Sequence, residues 1–364
     1  MTASGAAVER ADADPDEVLQ VARGIATAVA PESGLTDVQA SLLRATTKAM
    51  TGIDVDYRDL EPLGPDELAS VLATRDRAYR QRIVQHMVLG ELVLTPLPRD
   101  VADRVSVCAD ALAVDDDFVR VARRYAQNAL GLAWMDLRRS GFLDHWDDDG
   151  VVPLHTTSSI ADPWDEPASD PELEARWRAF SDLAPGTLGH SVSEMYRTRG
   201  FLLPGSPGAA SAYLAQHDFA HVLADYGTTM EGELEVFAFV GRADPDPKGF
   251  AWLATMIGLF ETGYIHAQGP FAVDVREHHL RTPGMPVRLP DALRRGKIVA
   301  ERYGRDLFTV DFHQLTHLSV AEVRERLHVP PKSDEAVAVG SPGLFDPGGI
   351  SERQRNAGLR TTDS

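Results

Sequence analysis

The feature that most constrains this chain is a helical hydrophobic period that runs through most of it with very few strand-like alternations. The stretch "RAYRQRIVQHMVLGELVL", residues 77 to 94, shows it well. Ile83, His86, Met87 and Leu94 share one stripe with Val84 and Val88 beside it, while Arg77, Arg80, Gln81 and Arg82 crowd the N-terminal part. Apolar residues three and four apart meet on one helix face, whereas a strand would alternate them. The pattern persists from about Pro15 to Gly141 and predicts a bundle of roughly four to six helices.

Between Gly141 and about Ala168 the composition turns to Asp, Pro, Gly and Ser with no sustained period, so residues 142–168 read as a linker. Helical signals then resume. Asp170 can cap, Pro171 suits the first helical position, and Glu172 and Glu174 favour the positive end of the helix dipole. Pro290 is expected to open another helix, and Ser319 with Glu322 forms a capping box for "SVAEVRERL". After Val329 the pattern fails, and the Pro-, Gly- and Ser-rich residues 330–364 are expected to be a disordered tail. The expected fold is therefore all-α, with two helical domains at 15–141 and 169–329.

Composition then narrows the function. A formal charge of −19 argues against wrapping nucleic acid or adhering to an anionic membrane, both of which need concentrated Lys and Arg. The apolar run from Phe250 to Phe260 is about half the length that spans a bilayer. The single cysteine, Cys108, forms no intramolecular bridge, and the N-terminus lacks a basic, apolar leader. A cytoplasmic protein is expected.

Chemistry concentrates in "AQHDFAHVLADYGTTMEGELE", residues 215 to 235. On a helix that begins after "LPGSPG" and stops at Gly227, residues four apart differ by roughly 40° around the axis, so His217 and His221 point the same way. They extend the inward stripe of Ala210, Tyr213, Leu214 and Ala224. Asp218 lies roughly 60° from His221 and can ligate or orient a ligand. Thr228 with Glu231 resembles a second capping box, and Glu233, in the second turn of the helix so started, can face the first helix if the two pack antiparallel.

Two imidazoles and two carboxylates suit one divalent ion, zinc, iron or manganese, and magnesium less naturally. Burying four such groups is costly without partners, and one cation satisfies them together. The bland alternative is a pair of core histidines held by backbone carbonyls, with solvent-facing acids. The zinc-protease pattern HExxH fits badly, because Asp218 stands where the glutamate base belongs. Phosphohydrolases of the histidine-aspartate type would need further His and Asp ligands on several helices, and no such set is apparent.

The pattern HDxxH, eleven residues, then E, in His217, Asp218, His221 and Glu233, resembles the signature of the Coq-four family of coenzyme Q biosynthesis. "LAPGTLGHSVSEMYRTRGF" (183 to 201), "DYGTTMEGELEVFAF" and "LFTVDFHQLTHLSVAEVRERLHV" resemble that family's flanking segments, over roughly residues 170 to 329. The resemblance implies an all-helical domain whose four motif residues bind a divalent metal beside an apolar tunnel for a prenylated quinone precursor. It further implies removal of a ring carboxyl group with oxygen installed at that carbon, or a scaffold for other biosynthetic proteins. The N-terminal helices resemble TerB-like tellurite-resistance bundles, with an echo of their acidic signature in "LAVDDDF" (112 to 118). Such a fusion leaves room for an enzyme redirected to a non-quinone substrate of secondary metabolism, and a homodimer is compatible with either use.

Within "GFAWLATMIGLFETGYIHAQGPFAV" bulky Trp252, Met256, Leu259 and Phe260 alternate with Gly258 and Gly263, as in a tunnel-lining helix or an ordinary core helix. Tyr213, Trp252, Met256 and Phe260 are the candidate contacts for a hydrophobic or aromatic small-molecule substrate. Glu261 and His266 are expected at the surface or as caps, and the adjacent His278 and His279 in a solvated loop. "WDDDG" (146 to 150) lacks the later carboxylate of a calcium loop and reads as a turn.

Overall fold

The computed structural model describes residues 14–115, 119, 169–207, 209, 215–246, 249–262 and 278–362. Five helices come first: α1 (Pro15–Val29), α2 (Asp37–Thr51), α3 (Pro65–Val71), α4 (Arg77–Leu92) and α5 (Arg99–Ala111). After residues 120–168, which include the expected linker and lie outside the described residues, come α6 (Pro171–Arg178), α7 (Leu188–Arg199), α8 (Gln216–Ala224), α9 (Met230–Ala243) and α10 (Phe250–Phe260). The series ends with α11 (Met285–Arg302), α12 (Val320–Arg326), α13 (Asp334–Ala338) and α14 (Glu352–Thr362). Among the described residues there is no strand, only an isolated antiparallel bridge between Thr187 and Ser319. The all-α expectation holds. None of the described helices is long and apolar enough to cross a membrane.

Local signals set many of these ends. The Asp170 side chain accepts the Leu173 N–H at 3.0 Å, with Pro171 opening α6. Ser319 and Glu322 exchange both bonds of a capping box at the start of α12. Pro290 does not open its helix. α11 begins at Met285 and carries Pro290 inside, forgoing one backbone bond while burying Met285 and Leu289.

α9 is buried from Gly232 to Ala243 and forms the axis of the C-terminal half, with α10 and α11 packed along it. α11 approaches closely because Gly296 has no side chain: a carbon there would sit 2.3 Å from the Phe239 carbonyl oxygen. The far side of α11 packs on α2, where Lys297 Nζ donates to the Met50 carbonyl at 2.8 Å. One apolar cluster runs from Val18 and Val88 through Leu253 and Leu293 to Leu344. The helices before and after the linker thus share a core.

The segment 330–364 is not disordered over its described part. α13 and α14 form there, and α14 packs on α7. Its partners come from elsewhere in the chain. Arg199 donates to the Leu344 and Gly349 carbonyls, Thr228 N–H to the Gly349 carbonyl at 2.8 Å, Leu344 N–H to Asp225, and Gln354 to the Thr228 carbonyl. A segment with too few apolar residues for its own core is ordered here by tertiary hydrogen bonds.

Candidate metal centre

All nine residues of α8 are buried, including Gln216, His217, Asp218 and His221. The expected earlier turns of this helix, with Tyr213, lie outside the described residues. The helix stops at Asp225 and not at Gly227. Asp225 adopts the left-handed conformation at φ 59°, which aspartate tolerates better than most residues, and its carboxylate accepts the Leu344 N–H at 3.0 Å. Gly227 serves a different need, since a carbon on it would fall 2.4 Å from the Gly349 Cα. The cap of α9 is Thr229, which accepts from Gly232 N–H, and not Thr228, whose hydroxyl and amide are committed to Gln354 and Gly349.

This tight connection brings Glu233 back against α8. Glu233 Oε2 lies 3.4 Å from His221 Nε2 and 3.6 Å from His217 Nε2, and His217 Nε2 lies 3.6 Å from Asp218 Oδ1. One ligand atom from each of His217, Asp218 and His221 falls within 4.8 Å of the others. Four ligands at about 2.0–2.2 Å from a tetrahedral ion stand about 3.3–3.6 Å apart along the tetrahedron's edges. The three separations of 3.6, 3.6 and 3.4 Å match such edges and are long for hydrogen bonds, while the group within 4.8 Å comprises His217, Asp218 and His221 without Glu233.

The pairing of the polar atoms points the same way. His221 Nε2 and Glu233 Oε2 are buried without a hydrogen-bond partner. His221 Nδ1 stands 3.2 Å from the Tyr226 carbonyl, which can only accept, so Nδ1 carries the proton and the Nε2 lone pair faces the cluster. The Tyr196 hydroxyl donates to Asp218 Oδ2 at 2.5 Å, leaving Oδ1 turned to the cluster. Phe237 stacks on the His217 ring at 4.9 Å. His217, Asp218 and His221 are thus each held by a neighbour, and the donor set fits a borderline cation such as zinc or iron better than magnesium.

The electrostatics follow from burial and these contacts. Burial pushes the Glu233 carboxyl up, but the His221 and His217 imidazoles outweigh it and hold the group at about 2. Burial raises the Asp218 carboxyl, with the two imidazoles and the Tyr196 hydroxyl opposing. Arg199 is buried, which lowers its guanidinium to about 10 against the pull of Glu233 and Asp218. Tyr196 and Arg199 both come from α7. Their motif context gives no sign that they support the site.

Of the four expected substrate contacts, the described side chains include two. Trp252 and Met256 are buried, and Trp252 stacks on Phe308 at 4.7 Å and meets Phe237 at 5.2 Å. An aromatic ladder therefore runs from His217 through Phe237 and Trp252 to Phe308. The side chain of Phe260, together with Gly263 and His266, lies outside the described residues. Glu261 is the C-cap of α10 but does not lie at the surface: it is fully buried, and its Oε2 accepts the Leu280 N–H at 2.8 Å. His279 is not solvated either, because its Nδ1 pairs with Glu231 at 2.9 Å. In both cases a partner distant in sequence buries a polar group that spacing alone would leave in water.

The sequence matches no protein-family model and no curated protein. Among solved structures it is similar to that of a "Putative ubiquinone biosynthesis protein" from Nostoc punctiforme, with 21% identity over 69% of this chain and 97% of that one, at a TM-score of 0.29. A superposition that loose assigns neither fold nor activity to this chain.

Proposed function

We propose that His217, Asp218, His221 and Glu233 bind one divalent cation and that the protein uses it on an aromatic acid of the quinone-precursor type. The observation that carries the metal is the pair of orphaned buried atoms, His221 Nε2 and Glu233 Oε2, facing each other in a group of ligand-spaced donors. Bound there, the cation supplies Lewis-acid polarisation of a substrate carboxyl group. The residues do the rest: Tyr196 fixes Asp218, the Tyr226 carbonyl fixes the His221 tautomer, and Phe237 with Trp252 keeps the His217 side dry. The choice of substrate class, and of oxidative decarboxylation as the reaction, rests on the resemblance of the motif to the Coq-four family.

A second reading has its own support. All four residues are at most 6% exposed, as in a closed structural site with four protein ligands. On that reading the protein is a lipid-holding scaffold for biosynthetic partners. Bound metal is measured by elemental analysis in wild type, His217→Ala and Glu233→Ala, and the co-purifying small molecules are identified. The expected result is about one metal per chain in wild type and at least a ~100-fold weaker affinity in both folded variants, beyond the 10–100-fold typical of outer partners. Equal metal content in all three sinks the site. Turnover of a prenylated ring acid by the loaded protein selects the enzyme, and metal without turnover selects the scaffold.

A further inference from the structure

A second site lies where the two halves of the chain meet. A cavity of about 350 Å3 opens between α1, α2 and α4 on one side and α9, α10 and α11 on the other. Val21, Ile25, Leu89, Leu253 and Leu293 supply much of its apolar lining. Packed interiors leave few voids larger than a water molecule, and an apolar cavity of about 150 Å3 already holds a small aromatic guest. Arg242 borders the cavity nine residues after Glu233 on α9, about 14 Å along the axis and half a turn round, so the cavity faces away from the metal centre.

The charged groups around this cavity are committed to one another or to the backbone. Glu17, the one acid among the described lining residues, pairs with Arg75 Nη2 at 2.8 Å and accepts the Tyr79 hydroxyl at 3.2 Å. Lys297 Nζ donates to the Met50 carbonyl at 2.8 Å and lies 3.7 Å from Glu301. Arg82 Nη2 donates to the Pro245 carbonyl at 3.1 Å, and Arg242 is likewise engaged. A charged guest would give up its hydration without meeting a free counter-charge among these residues. The cavity therefore suits a neutral molecule.

The polar part of that molecule can be narrowed further. Thr46 Oγ1 donates to the Leu42 carbonyl at 2.5 Å, and the Thr47 and Tyr57 hydroxyls share a hydrogen bond of 2.7 Å. His86 on α4 differs from these neighbours. It borders the cavity, and its Nε2 is buried without a hydrogen-bond partner. Burial lowers the imidazole to about 4, so the ring is neutral near pH 7 and Nε2 is either a single donor or a single acceptor. A dry, unmet nitrogen is costly, and a guest oxygen beside the ring removes that cost. A hydroxyl suits either tautomer because it both donates and accepts, whereas a carbonyl suits only one.

We infer that this cavity binds a small, neutral, mainly apolar molecule with one hydroxyl group, an alcohol or a phenol, and that His86 recognises the hydroxyl. The site is distinct from the metal centre, and the N-terminal helices make its first wall.

The test is calorimetry on the full-length protein with 1-octanol as probe and with octanoate, octylamine and hexane as comparisons. One octanol per chain is expected to bind saturably, with both charged analogues at least about tenfold weaker. His86→Phe keeps a ring of similar size and removes the nitrogen. It should weaken octanol about fivefold, leave hexane unchanged and raise the melting temperature of the ligand-free protein, since an apolar ring replaces an unmet polar one. Leu253→Trp fills the chamber and should abolish binding of both octanol and hexane. If Leu253→Trp does not fold, Val21→Phe on the opposite wall takes its place. Tighter binding of octanoate or octylamine than of octanol, octanol affinity unchanged by His86→Phe or by the filled variant, equal weakening of octanol and hexane in His86→Phe, or no saturable octanol binding overturns the proposal.

Discussion

Two buried glutamates, two residues apart on α9, solve the same physical problem differently. Glu235 is fully buried and satisfied by the chain: Arg288 Nη2 donates to one oxygen and Ser341 Oγ to the other, each at 2.6 Å. Glu233 is 6% exposed, and its Oε2 faces two imidazole nitrogens without a hydrogen bond from either. A buried acid with a structural task brings its cation from within the chain, whereas one reserved for a ligand leaves that place open.

The comparison breaks most sharply at Arg288. Arg288→Met strands Glu235 without its cation and is expected to cost about 3–5 kcal/mol, read from denaturant melts, with metal binding retained in the folded fraction. Loss of metal with unchanged stability would reverse the roles assigned to the two glutamates. Tyr196→Phe removes the hydroxyl that holds Asp218 and should lower metal affinity about 10–100-fold in competition with a chelator, with little change in melting. An unchanged affinity would remove Asp218 from the site.

The next test concerns the brace. Gly227→Ala forces a carbon to 2.4 Å from the Gly349 Cα, and the tail must move. The expected loss is about 1–3 kcal/mol, with hydrogen exchange rising at Leu344 and Gly349. A variant as stable and as protected as wild type would show that the tail does not clamp this turn.

The last test is a pH slope at a third acid site, where two carboxylates lie close together and the nearby Arg82 does not outweigh burial. Burial and the nearby Asp306 carboxylate raise Asp244 to about 7, and Asp306 itself, raised chiefly by burial, sits at about 6. The folded chain therefore keeps protons that the unfolded chain releases near the ordinary value of 3.8. Stability should fall as pH rises from about 4 to about 7, by at most ~1.4 kcal/mol per unit for each proton. Asp244→Asn should flatten that fall, and thermal melts across this range check it. A slope that survives the substitution would place its origin elsewhere.

Much of this was legible in local spacing. The period of α4, the Asp170 cap and the Ser319 box follow from neighbours within a turn or two. The meeting of His217, His221 and Glu233 follows from helical geometry and one short connection. What escaped depended on partners far along the chain. Asp225 could end α8 because Leu344 completes its hydrogen bonding, and Tyr196 reaches Asp218 across 22 positions with no periodic signal. The tail's composition predicted disorder, and the structure overturns that over its described part because Arg199 and Thr228 support it. For Trp252 spacing left tunnel lining and core packing both open, and the ring stands in the ladder beside His217.

The hydrogen bonds between Thr228 and the Gly349 region also carry a consequence in time. Those residues stand 121 positions apart, so at a synthesis rate of about 5–20 residues per second the ligand turn exists for roughly 6–24 s before its brace is made. During that interval His217, Asp218, His221 and Glu233 are already translated while the contacts from Leu344, Gly349 and Gln354 do not yet exist. On the proposed reading, a cation that arrived early would meet a looser claw than one that arrived late.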